Sequence, residues 1–249
     1  MSDALPDALP LAIEIEINSD CNLSCAYCPN SKAERKEKGH MAPELFEKIL
    51  QQLQKTDYAG RISYHFYNEP TLSPNLNAFV SLTKKYLPRT KRVLYTNGTY
   101  LNKNTVDQLY ADGLDRFIIT EHHQAELPNL DFVANEKDLY PLSKFKFSNF
   151  KEIPMTNRGG AVKAGARITE PLTTPCFIPR CVLVISVKGN VVACYEDYFQ
   201  SHVMGNITEQ TIYEIWSSEK YTHFRNELKA GNRYKFDVCK TCNNSLLIV

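Results

Sequence analysis

The sequence predicts an α/β protein, a parallel sheet fed by alternating helices, with a smaller C-terminal unit attached. Three observations point there. Between Leu11 and Thr120, four short apolar runs alternate with three amphipathic stretches. Three cysteines, Cys21, Cys25 and Cys28, lie on one loop directly after the first run. Past Glu170 the composition shifts, and five of the eight cysteines fall in that last third.

A chain of 249 residues can bury a sizeable core, as one large domain or a main domain with an appendage. Its 29 basic and 28 acidic residues leave a net charge of +1, so no field for a polyanion follows and nucleic acid is not expected as a partner. Nothing approaches the ~20 apolar residues of a membrane span, so no membrane is expected either. Residues 1–10 carry Asp3 and Asp7 and no basic stretch, which reads as a loose lead-in and not as a signal peptide. Eight cysteines without such a signal suit metal ligation in a reducing cytoplasm, not disulfides.

Ala12 to Ile17 alternates strictly between apolar residues and glutamates, the mark of a strand with two different faces. Ile13, Ile15 and Ile17 suit packing on helices. Glu14 and Glu16 face the other way, where burial is costly unless they meet cations or a polar ligand. The alternative is an edge strand whose glutamates are solvated. Lys32 to Lys38 reads as a solvated charged face. Pro43 opens a helix with Leu45, Phe46, Ile49, Leu50 and Leu53 as its apolar stripe. Arg61 to Tyr67 reads as the second strand and runs into Asn68-Glu69-Pro70. Ser73-Pro74 starts a helix that buries Leu76, Phe79, Val80 and Leu82. Arg92 to Thr96 is a third strand, Lys103 to Ala111 a helix stopped at Gly113, and Arg116 to Thr120 a fourth strand. Such alternation implies right-handed crossovers and a parallel sheet. Ligands collect at the carboxyl ends of such strands. Those ends present the cysteine loop, Tyr67-Asn68-Glu69, Tyr95-Thr96-Asn97 and Thr120-Glu121-His122, with His123 beyond.

Periodicity is weak from Leu127 to Ala166, apart from a strand expected over Lys144 to Phe150. Asn157-Arg158-Gly159-Gly160 reads as a turn that presents one cation, suited to a hydroxyl or carboxylate. Val182 to Val187 and Asn190 to Cys194 look like a hairpin turning at Lys188-Gly189. Thr208 to Trp216 and Glu219 to Lys229 look like two helices.

The thiols carry the chemistry. Three on one tight loop at C-x3-C-x2-C spacing suit a 4Fe–4S cluster better than zinc, and they leave one iron without a protein ligand. Cys176, Cys194, Cys239 and Cys242 combine two separated thiols with one C-x2-C, which closes a four-thiolate site. By spacing alone that site suits structural zinc or a 4Fe–4S cluster, and Cys181 is an alternative to Cys176 as a ligand.

The C-x3-C-x-aromatic-C motif resembles the radical S-adenosylmethionine (SAM) superfamily. The resemblance implies a partial, shortened (β/α) barrel over residues 1–168, with Cys21, Cys25 and Cys28 holding a cluster whose open iron binds SAM. It places Tyr27 against the adenine and assigns Glu69, with backbone near Asn68, to the SAM amino group. An asparagine stands at 68 where the family has glycine, so the backbone approach is expected to differ. Thr96, Asn97, Thr120 and His122 are expected at the SAM carboxylate or ribose. Cys176, Gly189, Cys194, Met204-Gly205-Asn206-Ile207, Ile215-Trp216 and Cys239-x2-Cys242 resemble the SPASM and Twitch extensions. Too few cysteines are present for a full SPASM domain, so a Twitch domain over 169–249 with one auxiliary 4Fe–4S cluster is implied.

Tyr27 to Ser31, Gly60 to Tyr67, Tyr95 to Gly98, Asn157 to Gly160 and Val203 to Ile207 further resemble the radical SAM dehydrogenases that oxidise aminocyclitols in aminoglycoside antibiotic biosynthesis. That resemblance runs from about Glu14 to Asn244 and is weakest between Glu121 and Phe150. It implies oxidation of a secondary alcohol to a ketone, with the auxiliary cluster taking the second electron. Arg158 is then expected near the reacting hydroxyl, with Glu14, Tyr67 and Tyr95 fixing the polyol or aminocyclitol. A flavodoxin- or ferredoxin-type reductant is the implied protein partner. Rival readings are an epimerase using Cys181 as hydrogen donor, a peptide-modifying maturase, and a non-catalytic iron–sulfur module.

Overall fold

The structure is a computed structural model that describes residues 9–122, 130–141 and 143–245. The lead-in up to Ala8 and His123 lie outside the described residues. Strands and helices alternate as β1 (Ala12–Ile15), α1 (Pro43–Lys55), β2 (Arg61–Ser63), α2 (Leu76–Tyr86), β3 (Lys91–Thr96), α3 (Lys103–Asp112), β4 (Arg116–Glu121), α4 (Asp131–Asn135) and β5 (Phe145–Asn149). A long connection then leads to α5 (Ile178–Cys181), β6 (Val182–Ile185), β7 (Asn190–Val192), β8 (Val203–Asn206), α6 (Ile212–Ser217), α7 (Glu219–Lys229) and α8 (Asp237–Thr241).

All eight strands form one sheet, in the order β5-β4-β3-β2-β1-β6-β7-β8. The first six in that order pair in parallel, and β7 and β8 are antiparallel additions. This is the expected α/β architecture. The expected boundary at 168/169 falls in a loop, and the sheet crosses it, because Val182–Ile185 pairs with Ala12–Ile15.

Strand β1 lies inside the sheet, and all four of its residues are buried, so both of its faces are covered. Ile13, Ile15 and Ile17 are fully buried in the main core with Phe46, Ile49, Leu50 and Leu53 of α1. Each such side chain contributes roughly 1.5–3 kcal/mol by leaving water. On the opposite face, Glu14 and Glu16 sit beside a smaller cluster that includes Ala12, Tyr67, Val182 and Val184. Neither glutamate is solvated, and each has found a cation. Arg61 Nη2 lies 3.1 Å from Glu14, and Arg35 contacts Glu16 directly. The run from Lys32 to Lys38 is therefore not a uniformly solvated face. Arg35 turns inward because an unpaired carboxylate at Glu16 is too costly to bury.

Several other elements differ from expectation, among them β2, α2 and β8. Strand β2 stops at Ser63, not Tyr67. Asn68 folds back, accepting from Phe66 N at 2.9 Å and donating to Tyr64 O at 3.3 Å, and this turn peels the chain off the sheet. Helix α2 begins at Leu76, two residues after Pro74, because a single 3-10 turn at Pro70–Leu72 occupies the approach. Strand β8 was not expected, although Gly205 marks it. A Cβ there would lie 2.7 Å from Ile215, so only glycine lets α6 close on the strand. No helix among the described residues is long and apolar enough to cross a membrane.

Candidate functional site

The first thiol set hangs beyond β1 at the carboxyl edge of the sheet. Cys25 is buried, and Cys21 and Cys28 are half-buried. Burial pushes all three thiols up, and neighbouring thiols push the same way. Leu23 N donates to Cys21 Sγ at 3.5 Å. The loop is braced by Asn18, whose Nδ2 donates to Asp20 O and Glu69 O, each at 3.2 Å.

Glu69 joins the neighbouring edge loops. Its Oε1 accepts from Thr71 N at 3.1 Å, Thr71 Oγ1 at 2.6 Å and Thr96 Oγ1 at 2.7 Å. Its Oε2 accepts from Asn97 N at 2.7 Å. A carboxylate has about four lone-pair directions, so Oε2 keeps room for another donor. Asn97 Nδ2 donates to Asn22 Oδ1 at 2.8 Å, tying β3 to the cysteine loop. Asn68 directs its amide inward to Asn18 Oδ1 at 2.7 Å, so this side chain holds the loop. Tyr27 OH shares a 2.8 Å hydrogen bond with His122 Nδ1, and its ring stacks on Phe150 at 5.3 Å. Thr120 is half-buried and pairs with Ser148 of β5.

Beneath that edge lies a charged interior. Arg61 pairs with Glu14, bonds to Tyr95 OH and sits over the Tyr95 ring. Burial pushes the Glu14 carboxyl up to about 7, against the opposing pull of Arg61 and, more weakly, of Arg158. His65 stacks on Tyr95 at 4.3 Å, and burial pushes it down to about 3, so it is neutral. Arg158 lies over the Tyr67 ring, and its Nη1 is 3.8 Å from Glu196 Oε1. Tyr67 OH donates to Tyr195 O at 2.8 Å. Glu14, Tyr67, Tyr95 and Arg158 are thus brought into one region. Sequence reasoning missed Arg61, Glu196 and Arg35. Arg61 had a signal, since a cation at the start of a strand beside an interior glutamate is its natural partner.

Arg158 adopts φ 51°, a left-handed conformation that costs a non-glycine residue free energy. The turn is held by the C-terminal segment. Thr241 Oγ1 donates to Gly159 O at 2.7 Å, and Asn157 N donates to Asn243 Oδ1 at 2.8 Å. A Cβ on Gly159 would lie 2.6 Å from Val238 and 2.8 Å from Glu196 O, which explains the glycine. The arginine's position therefore depends on the segment that carries Cys239 and Cys242.

That segment closes the second thiol set. Cys176, Cys194, Cys239 and Cys242 line one small pocket with Glu196 and Arg233. Cys181 is not among its lining residues and packs instead with the interior cluster around Val182 and Val184. Burial pushes the thiols up, Cys242 to about 11, and the thiols raise one another. Glu196 N and Asn244 N each donate to a cysteine sulfur at 3.4 Å, Cys194 and Cys242 respectively. Such bonds stabilise thiolate ligands and raise cluster potentials. Among the described residues no three His, Cys, Asp or Glu side chains converge as a single metal ion requires. Both donor sets consist of thiols, the ligand chemistry of a 4Fe–4S cluster.

Comparison with known proteins agrees with this geometry. Residues 15–120 match the radical SAM superfamily, and residues 176–243 match SPASM, an iron–sulfur cluster-binding domain. The S-adenosyl-L-methionine-dependent 2-deoxy-scyllo-inosamine dehydrogenase of Niallia circulans is 41% identical over 223 residues, covering 90% of this chain and 88% of that protein. The crystal structure of BtrN in complex with AdoMet and 2-DOIA superposes with a TM-score of 0.90 at 40% identity, over 98% of this chain and 96% of that one. BtrN in an open conformation gives 0.77 at 38% identity, over 96% and 94% of the two chains. At 16% identity, anSMEcpe with bound AdoMet and a peptide shares the fold, with a TM-score of 0.59 over 94% of this chain and 89% of that one.

Proposed function

The chain belongs to the radical SAM superfamily and carries a SPASM-type extension, and from that premise we propose that it oxidises a secondary alcohol of an aminocyclitol to the ketone. Membership brings SAM and two 4Fe–4S clusters as cofactors. We assign the first cluster to Cys21, Cys25 and Cys28, and the auxiliary one to Cys176, Cys194, Cys239 and Cys242. The observation that carries the reading is the Glu14, Arg61, Tyr67 and Arg158 constellation, linked to the four-thiol pocket through Glu196.

When bound, SAM on the first cluster supplies the oxidant that removes a hydrogen atom from the carbinol carbon, and the auxiliary cluster accepts one electron. The hydroxyl proton must also leave for the C=O bond to form, and it passes to solvent water. Arg158 holds the hydroxyl oxygen and favours its deprotonated form by direct charge. Glu14, with only Oε1 engaged by Arg61, offers Oε2 to the substrate's ammonium. Tyr67 and Tyr95 supply phenol edges to the ring hydroxyls. Glu69 Oε2 takes the SAM amino group, and its other contacts fix Thr96 and Asn97 at the carboxylate and ribose side. Tyr27 lies on the adenine side, and Thr120 and His122 at the carboxylate or ribose.

A flavodoxin- or ferredoxin-type protein delivers the electron that starts each turnover. Eight free thiols suit the reducing cytoplasm for this chain. The test is anaerobic incubation with SAM, reductant and 2-deoxy-scyllo-inosamine among a panel of aminocyclitols. The expected result is loss of two hydrogens from one substrate by mass spectrometry, with about one 5′-deoxyadenosine formed per product. SAM cleavage with no ketone from any member would overturn the reading.

A further inference from the structure

Arg233 is 2% exposed, yet no carboxylate among the described residues pairs with it. Its Nε donates to Thr174 O at 2.9 Å and its Nη1 to Asn244 O at 2.7 Å. Its Nη2 reaches Pro175 O at 3.3 Å and Thr174 Oγ1 at 3.5 Å. All of these partners are neutral. They take four of the guanidinium's five hydrogens but leave its charge uncompensated, and a buried unpaired charge is strongly disfavoured.

The pocket that Arg233 lines supplies the missing anion. Four thiolates around a 4Fe–4S core leave about two net negative charges, and about three once an electron is accepted. Glu196, the carboxylate lining the same pocket, is already held by Thr156 at 3.0 Å and Asn244 at 2.8 Å, with Arg158 at 3.8 Å. The carbonyls that Arg233 grips stand just before Cys176 and just after Cys242, so it also joins the two ends of the ligand set.

We propose that Arg233 is the counter-cation of the auxiliary cluster and sets its potential high enough to receive the substrate's electron. The assignment rests on the reading above, that this pocket holds an electron-accepting cluster. A fixed positive charge stabilises the reduced form more than the oxidised one, because the reduced form is more negative. Arg233 is a positioning and tuning residue and does not touch the substrate.

The test compares wild type with Arg233→Lys, Arg233→Gln and Arg233→Met, each reconstituted anaerobically as the full chain. Iron is counted and both clusters are titrated by EPR, the SAM-bound cluster serving as internal reference. The two neutral variants are expected to show at least a tenfold lower reduced-to-oxidised ratio of the auxiliary cluster at a given poise, about 59 mV for one electron. Lysine is expected to stay within about threefold of wild type, and the SAM-bound cluster to be unmoved. Should the neutral variants load only one cluster while lysine loads two, charge is again what holds the site. An unchanged potential in fully loaded Gln or Met variants overturns the proposal, as does loss of the cluster in the lysine variant too. A wild-type protein with about four irons overturns the underlying two-cluster reading itself.

Discussion

The three thiols of the N-terminal loop and the four of the C-terminal third reach their places by opposite routes. Cys21, Cys25 and Cys28 come from one loop of eight residues at the sheet's carboxyl edge, and two of them remain half-buried. The second set is gathered from the chain before α5, the turn just past β7, α8 and the residue beyond it, and three of its members are buried. A local set with one ligand short leaves an iron open to a small molecule. A distant set of four closes the site, leaving electron storage as its natural use. The two also differ in what brings them together. The first needs only a turn, whereas the second needs the sheet to continue from β1 through β6 to β7.

The sharpest way to break that division of labour is to remove one thiol from each set. Cys25→Ala is expected to abolish SAM cleavage and reduce the iron content from about eight to about four. Cys239→Ala is expected to lose the same iron yet still yield 5′-deoxyadenosine, with ketone formation falling to background. Identical phenotypes for the two variants, read by product analysis beside iron counting, would erase the distinction.

Smaller effects sharpen the region between the two sets. Burial makes the ionised form of Glu14 the costly one and pushes its pKa up to about 7, so it is protonated below that pH and ionised above it. If it binds an ammonium, kcat/KM should rise as pH increases through about 7. Glu14→Gln should remove that limb and cost about 10- to 100-fold, the worth of a charged hydrogen bond of ~1.5–3 kcal/mol. A pH profile unaltered by the substitution would dismiss Glu14 from substrate binding. Cys181→Ala should change least. The thiol stands outside the four-thiol pocket, so turnover should stay within about threefold, at a stability cost of ~1 kcal/mol. No solvent deuterium should enter the product. Deuterium incorporation that vanishes in this variant would favour an epimerase.

Much of the first region was legible because its logic is local. The alternation from Ala12 to Ile17 revealed which residues face the helices, and the requirement to pair buried glutamates anticipated cations. Which cations came was not legible. Arg35 sits in a run that reads as solvated, and Arg61 reads only as a strand's first residue. Glu69 was legible as an edge residue, but its hydrogen bonds to Thr71, Thr96 and Asn97 depend on three loops meeting.

Sequence alone determined the element order, the cysteine spacing and the family, since periodicity, turn residues and short motifs are properties of neighbouring positions. Tertiary structure alone decided that the four thiols share their pocket with Glu196 and Arg233, and that the Arg158 turn is held by Thr241 and Asn243. It also decided that Arg233 is buried without a carboxylate. Each of these depends on contacts between residues far apart in the chain, where burial sets the cost of an unpaired charge, and no local pattern carries that information.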